Sequence, residues 1–320
     1  MRIRSNMQRN SLTCSEQNKN SISKTNSTEM DTKMLSYNKL CELEDFTHPK
    51  LQPIISSIFL NGKNGLSQGF PNGQEYRKHW EIAMSVRALA DGGAIHPKSK
   101  LLGVGAGNEP TSFYLTNHVD QVFATDLYVD ENWHQSANLG MFTHPERYWN
   151  RDWNRRRLIV QHMDARELHY ESNSFDGIFS SSSLEHFGSL KDVRQSIKEM
   201  TRVLKPGGIL TLSTEFRLEG SGNGLSGTLL FDESQIRELF FNSSHLEPMS
   251  APEFQISSET LQTELPYEEA VKDVLSHIQT HGEIIYHKLI WSSYPHILLR
   301  QDQYLFTSIH IALRKPKKSK

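Results

Sequence analysis

The chain has 320 residues, of which 36% are hydrophobic and 22% charged, a balance typical of a globular protein that also carries a polar segment. A formal net charge of -2 gives no global attraction to nucleic acid or to an anionic membrane, so neither is expected as a partner. Cys14 and Cys41 lack metal-ligand neighbours, which argues against a disulfide scaffold and a zinc site. No apolar run reaches the ~18 residues of a membrane helix. We therefore expect a soluble protein of a reducing compartment, the cytoplasm.

The first 97 residues differ in composition from the rest of the chain. Residues 1–36 are rich in Asn, Ser, Thr and basic residues, and too poor in apolar ones to join a core, so we predict a disordered tail. A transit peptide is the alternative for this segment, whereas no apolar stretch indicates a secretory signal. Residues 37–97 are predicted to be a helical extension. Its clearest helix runs from Glu75 to Ala90 and ends at Gly92-Gly93.

From residue 98 the pattern alternates between strands and helices. Five apolar runs predict strands, at Lys100–Gly105, Val122–Asp126, Leu158–Asp164, Phe175–Ser180 and Ile209–Ser213. The clearest helix runs from Ser189 to Leu204, where Ser189 and Asp192 form a capping box. Such alternation implies an α/β fold with a parallel sheet covered on both faces.

The C-terminal third is less regular. We predict helices at Asp232–Phe241 and Glu268–His281, a strand at Glu253–Ser257 and an alternating strand at Tyr304–Leu313.

Polar or glycine residues follow each of the first four predicted strands, where a parallel sheet binds its ligands. The first strand leads into Gly103-Val-Gly105-Ala-Gly107-Asn-Glu109, and its glycines allow a ligand to approach the backbone closely. The second ends in Asp126, which can accept hydrogen bonds from both hydroxyls of a ribose. The third ends in Asp164, and the fourth in the small hydroxylated run Ser180–Ser183. Each feature alone also fits a tight turn or a helix cap.

The ordered set resembles class I S-adenosylmethionine-dependent methyltransferases. The resemblance is closest to the small-molecule, type 11 group, which has Leu-Glu-His after the fourth strand and Leu-Lys-Pro-Gly-Gly before the fifth. Here these motifs are Leu184–His186 and Leu204–Gly208. The likeness covers about residues 98–215, and Tyr304–Leu313 looks like the family's antiparallel last strand.

This resemblance implies a Rossmann-like, seven-stranded, mostly parallel sheet with helices on both faces and the last strand antiparallel. The methyltransferase domain would span residues 98–315, with a cofactor half at 98–215, an acceptor half at 216–315 and a basic tail at 316–320.

The resemblance also implies the cofactor, S-adenosylmethionine, and its contacts. No metal is expected. The implied cofactor residues are Gly103, Gly105 and Gly107 beside the methionine part, Asp126 at the ribose, Leu127, Asp164 and Ala165 around the adenine, and Ser181 beneath the sulfonium. One position departs from the family, whose members usually carry an acidic residue where this chain has Gly103. Glu109 is a candidate substitute, although a glutamate at a helix start needs no ligand to explain it.

The methyl acceptor is not identified by the sequence, and we expect a small molecule or a glycan precursor. A hydroxyl acceptor would need a base, for which His186 and Glu215 are candidates, because histidine titrates near neutral pH and Glu215 follows the fifth strand. A packed imidazole and a loop carboxylate are the respective alternatives. The sequence does not indicate an oligomeric state.

Residues 127–157 are rich in large aromatics, including Trp133, Phe142, Tyr148, Trp149 and Trp153, which fit either a cap over the acceptor or a helix with an aromatic face towards the core. The basic residues of the same segment, Arg151 and Arg155–Arg157, could meet a phosphorylated acceptor or form a solvated face.

Two other functions remain open at this point. A non-catalytic module that binds S-adenosylmethionine is suggested by Gly103. A nicotinamide-dependent oxidoreductase is suggested by Asp126, but Pro110 stands where the dinucleotide motif has its third glycine.

Overall fold

The structure, a computed structural model, describes residues 35–60, 69–129, 137–281 and 294–317. Most of the predicted tail lies outside the described residues, as does Trp133. The predicted boundary at residue 36 is too late, because Leu35 and Ser36 are both buried. The Leu35 carbonyl accepts a hydrogen bond from Arg87 at 2.7 Å, and Ser36 Oγ lies 2.8 Å from Ser250 Oγ.

The elements are numbered in chain order. The strands are β1 Lys39–Leu40, β2 Lys100–Val104, β3 Gln121–Asp126, β4 Leu158–His162, β5 Phe175–Ser181, β6 Leu204–Glu219, β7 Gly224–Leu225, β8 Thr228–Leu229, β9 Glu247–Pro248, β10 Glu264–Pro266, β11 Leu298–Gln301 and β12 Tyr304–Arg314. The α-helices are α1 Gln52–Phe59, α2 Arg77–Asp91, α3 Pro110–Leu115, α4 Gly140–Thr143, α5 Leu190–Val203, α6 Glu233–Ile236, α7 Ser258–Leu261 and α8 Tyr267–His281. Short 3-10 helices occupy Leu43–Thr47, Pro145–Arg147, Arg155–Arg157 and Leu184–His186, and a π-helical turn occupies Arg237–Asn242.

One sheet forms the centre of the fold, in the order β10-β11-β12-β6-β5-β2-β3-β4. The five strands from β6 to β4 are parallel, and β12 runs antiparallel to β6. The expected α/β class and the antiparallel last strand are therefore confirmed. The expected count of seven strands is too low, because β1, β9, β10 and β11 extend the sheet around β12 to ten described strands.

Helices pack on both faces of the sheet, as the alternating pattern predicts. On one face, Trp80, Met84 and Leu89 of α2 belong to a core with Phe113 and Phe179. On the other face, α5 contributes Val193, Ile197 and Met200 to a separate core. The Ser189–Asp192 capping box is present at the start of α5. The helix ends one residue earlier than predicted because Leu204 already pairs with Phe175 as part of β6.

Several predicted elements are corrected by the structure. Residues 253–257 form no strand, and only Glu253 makes an isolated bridge, to Lys39. The extension at 37–97 is not purely helical, since β1 pairs with β12. Between residues 137 and 157 the only α-helix is the four-residue α4. Trp149 and Trp153 pack on Phe113, with ring centroids 6.2 Å and 5.2 Å from its own, whereas Phe142 packs on Tyr128 at 5.4 Å. Among the described helices, none has the length and apolar character needed to span a membrane.

Candidate active site

A cavity of about 290 Å³ opens at the carboxyl ends of β2, β3, β4 and β5. Eight of the nine residues that the sequence assigns to the cofactor line it, namely Gly105, Gly107, Glu109, Asp126, Leu127, Asp164, Ala165 and Ser181. Gly103 is the exception. It lies within β2, where the side-chain space is filled by Phe179 and Ala106. The sheet therefore brings together residues that are up to 76 positions apart in the chain, from Gly105 to Ser181.

The glycine loop after β2 has the backbone that its sequence requires. Gly105 and Gly107 have φ angles of 63° and 46°, in the left-handed region that favours glycine. A β-carbon on Gly105 would also lie 2.5 Å from Cβ of Ser183. Substitution at Gly105 would therefore both strain the backbone and push the loop away from β5.

Asp126 ties the end of β3 to this loop. Its Oδ2 accepts a hydrogen bond from Gly107 N at 2.8 Å, and its Oδ1 accepts one from Leu127 N at 2.7 Å. Burial raises the pKa of Asp126, while these two backbone donors oppose that rise. The carboxylate is thus fixed at the cavity wall, with lone pairs left over for further donors.

Asp164 is held by a neighbour that the sequence analysis missed. Arg166 Nε lies 3.0 Å from each carboxylate oxygen of Asp164, and both residues line the cavity. The hydrogen bond from Arg166 holds the pKa of Asp164 below its usual range. A basic residue two positions after a strand-end aspartate was the available signal.

A second cavity of about 300 Å³ adjoins the first. The two share Glu109, Ser182 and His186 in their linings. Ser182 has a φ of 46°, a conformation that non-glycine residues rarely adopt and that often marks a functional site. Ser182 directly follows β5 and lines both cavities. Two ligands, one in each cavity, would therefore come into contact beside it.

The floor of the second cavity is a network of buried ions. Arg77 pairs with Glu215, and Lys78 Nζ lies 3.3 Å from Glu81 Oε1 and 3.6 Å from Glu215 Oε1. Burial alone would raise the pKa of Glu215, but Arg77 and Lys78 hold it below its usual range. Glu215 is therefore an ion-pair partner that lines the cavity, with its charge already compensated.

Two further carboxyls of this cavity have no ion-pair partner among the described residues. Glu185 is 2% exposed, and its Oε2 accepts one hydrogen bond, from Thr214 Oγ1 at 2.8 Å. Glu109 has a buried Oε2 without any hydrogen-bond donor in the described part of the chain. Burial raises the pKa of both groups, that of Glu109 well above its ordinary value.

His186 lies at the junction of the cavities, in the 3-10 helix Leu184–His186. Its Nδ1 is 2.9 Å from the carbonyl oxygen of Gly227, in the turn between β7 and β8. Since a carbonyl can only accept, Nδ1 donates in this contact. The same hairpin contributes Leu225 and Thr228 to the second cavity.

The arginine cluster of residues 151–157 lies away from both cavities. None of Arg151, Arg155, Arg156 and Arg157 lines either cavity. Arg155 pairs with Glu146, Arg157 donates to the Val119 carbonyl at 2.9 Å, and Arg151 lies 5.7 Å from the Trp149 ring centroid. Four charged residues that line the second cavity were missed by the sequence analysis: Arg77, Lys78, Glu81 and Glu185. Within the described residues there is no cluster of three metal-ligating side chains.

The comparisons with known proteins agree with this geometry. Residues 102–212 match the type 11 family model described as a methyltransferase domain. The chain is 31% identical over 140 residues to 27-O-demethylrifamycin SV methyltransferase of Amycolatopsis mediterranei (strain S699), a match that covers 44% of this chain and 45% of that protein. The matched region thus spans less than half of the curated relative.

Solved structures with this fold include the [4+2]-cyclase SpnF, at a TM-score of 0.50 and 20% identity, covering 83% of this chain and 93% of that one. Phosphoethanolamine N-methyltransferase 2 of Haemonchus contortus, solved with S-adenosylmethionine, has a TM-score of 0.45 and 19% identity, covering 82% of this chain and 56% of that one.

Fold, site and family model together define the class. Residues 102–212 carry a class I S-adenosylmethionine-dependent methyltransferase domain, and S-adenosylmethionine is its cofactor. Within that class, the matched stretch is similar to the type 11 methyltransferase domain family.

Proposed function

We propose that the protein transfers the methyl group of S-adenosylmethionine to a small-molecule acceptor bound in the second cavity. The observation that carries the proposal is the junction of the two cavities at Glu109, Ser182 and His186. Methyl transfer requires the nucleophile, the methyl carbon and the sulfur to be aligned, and two adjoining cavities of similar volume allow that alignment. The cofactor supplies an activated methyl group, so the protein mainly binds, orients and excludes water.

The side chains of the first cavity suit the parts of this cofactor. We assign the ribose hydroxyls to Asp126, the methionine part to the loop of Gly105 and Gly107, and the adenine to Leu127, Asp164 and Ala165. Ser181 would lie beneath the sulfonium, and its Oγ is buried without a hydrogen-bond partner among the described residues. Glu109 would pair with the α-ammonium group. Gly103 contributes space for packing and makes no contact in this assignment.

Of the two candidate bases, His186 fits better than Glu215. The carboxylate of Glu215 is neutralised by Arg77, whereas His186 has a basic nitrogen and lies at the junction. Bound S-adenosylmethionine would supply an activated methyl group, and His186 would take the proton that the acceptor loses. Glu215 instead fixes Arg77 and Lys78 in place.

The test uses S-adenosylmethionine with a deuterated methyl group. The protein is incubated with this cofactor and a small-molecule extract of its source cells, and mass spectrometry follows the label. Labelled products of low mass are expected, reduced with Asp126→Ala at limiting cofactor and strongly reduced with His186→Ala. Tight cofactor binding without any labelled product would favour the non-catalytic module. Nicotinamide carried through purification would favour the oxidoreductase.

A further inference from the structure

The second cavity has more acidic than permanently basic side chains in its lining. Four carboxyls line it, those of Glu81, Glu109, Glu185 and Glu215, but only two permanently basic side chains do, Arg77 and Lys78. Both cations are already engaged, Arg77 with Glu215 and Lys78 with Glu81 and Glu215. An anionic acceptor would therefore find no unpaired cation among these residues, and it would face surplus carboxyls.

Glu81 is a buried carboxylate of this cavity whose two oxygens both have hydrogen-bond or ion-pair partners. Its Oε2 accepts hydrogen bonds from Ser182 Oγ at 2.7 Å and Ser213 Oγ at 3.1 Å, and its Oε1 accepts one from Ser308 and pairs with Lys78. Hydroxyl donors and an ammonium group together compensate for the water that the carboxylate lost on burial.

Glu185 lacks that set of partners. It is as deeply buried as Glu81, at 2% against 1% exposure, yet the donors to its side chain are Thr214 Oγ1 and its own backbone N–H, and neither carries a charge. No lysine or arginine in the described residues lies within ion-pair distance of it. A buried carboxyl in this state needs either a proton or a cation from outside the chain.

We propose that the methyl acceptor carries a basic amine, whose ammonium form pairs with Glu185 in the second cavity. The rest of the lining suits the body of such a molecule, because Phe306, Tyr267 and Leu225 offer apolar and aromatic walls. Glu109 pairs with the cofactor's own ammonium group at the junction, so Glu185 remains for the acceptor. The inference rests on the proposed function in one respect, that the second cavity is the acceptor site.

The experiment compares three probes of the same shape and different charge: benzylamine, benzyl alcohol and benzoate. Each is titrated into protein saturated with S-adenosylhomocysteine, and ligand-observed NMR reports the affinity. We expect benzylammonium to bind at least ~10-fold more tightly than the other two, as one charged hydrogen bond predicts. Glu185→Gln, which keeps the shape and the contact with Thr214, should remove that preference. Glu247→Gln, an exposed carboxyl of β9, is the matched control and should leave it unchanged.

If Glu185→Gln does not fold, the titrations of the three probes into the wild-type protein still test the proposal. Equal or tighter binding of benzyl alcohol or benzoate would overturn it, as would the absence of binding by all three probes. Displacement of S-adenosylhomocysteine by benzylamine would also overturn it, because the ammonium would then occupy the cofactor cavity. A failure of S-adenosylhomocysteine itself to bind would count against the cofactor site and so against the proposed function.

Discussion

Phe179 fills the space that a side chain at Gly103 would need. A β-carbon on Gly103 would lie 2.7 Å from Cζ of Phe179 and 2.9 Å from Cβ of Ala106. The acidic residue that related enzymes usually carry at this position therefore has no room in this chain. The nearest replacement along the loop is Glu109, whose buried Oε2 accepts no hydrogen bond from the described residues.

Glu109→Gln should weaken the binding of S-adenosylhomocysteine by roughly 10-fold, because a charged hydrogen bond to its α-ammonium group is lost. Calorimetry measures the change. The control ligand is 5′-methylthioadenosine, which keeps the adenosine and the thioether but lacks the amino-acid part, and its affinity should not change. An equal loss for both ligands would show that Glu109 acts on the loop rather than on the ammonium group.

The affinity for S-adenosylhomocysteine should rise with pH. Burial holds the pKa of Glu109 well above its ordinary value in the unliganded protein, so the carboxyl is protonated at low pH. Nearby Glu81, Asp126 and Glu185 raise this pKa further, and Lys78 lowers it. A bound ammonium group favours the ionised form, so binding releases a proton and strengthens as pH rises through the free-protein pKa.

Calorimetry in two buffers with different ionisation enthalpies counts the released proton directly. The proton release should disappear with Glu109→Gln and with 5′-methylthioadenosine as the ligand. An affinity that falls with rising pH, below the range in which the ligand's own amine titrates, would contradict the assignment.

Asp126→Ala should weaken cofactor binding at least ~10-fold, since hydrogen bonds of a carboxylate to hydroxyls are worth roughly 1.5–3 kcal/mol each. It also removes the acceptor for Gly107 N and Leu127 N, so the loop loses its tie to β3. Asp164→Ala is the comparison and should cost less, because Asp164 is already neutralised by Arg166. Unchanged affinity in a folded Asp126→Ala protein would sink the ribose assignment.

Arg77→Met should destabilise the protein by up to about 3–5 kcal/mol, because it leaves the buried Glu215 with Lys78, at 3.6 Å, as its remaining ion-pair partner. The double variant Arg77→Met with Glu215→Leu should recover part of that loss, since both charges are then gone. Chemical denaturation gives the free energies of unfolding. Additive losses in the double variant would show that the two side chains do not stabilise each other.

The residues that line the first cavity could be predicted from the sequence largely because many of them lie at strand ends. Apolar runs located β2, β3 and β5 to within two residues, and Asp126 and Ser181 are the last residues of β3 and β5. The charged floor of the second cavity was missed for the opposite reason. Arg77, Lys78 and Glu81 belong to a helix whose apolar residues suggested ordinary core packing, and Glu215 meets Arg77 across 138 positions of sequence. Ion pairs between residues so far apart in the sequence depend on tertiary structure, and no local sequence pattern predicts them.

The second cavity shares Glu109, Ser182 and His186 with the first but also draws on parts of the chain that the first does not use. The residues proposed to bind the cofactor all fall within 102–212. Helix α2 precedes that stretch and supplies Arg77, Lys78 and Glu81 to the second cavity. In the proposed function, Arg77 belongs to the acceptor site and pairs with Glu215, and neither is among the residues assigned to the cofactor. A substitution at Arg77 would therefore alter the acceptor site and leave the assigned cofactor residues in place.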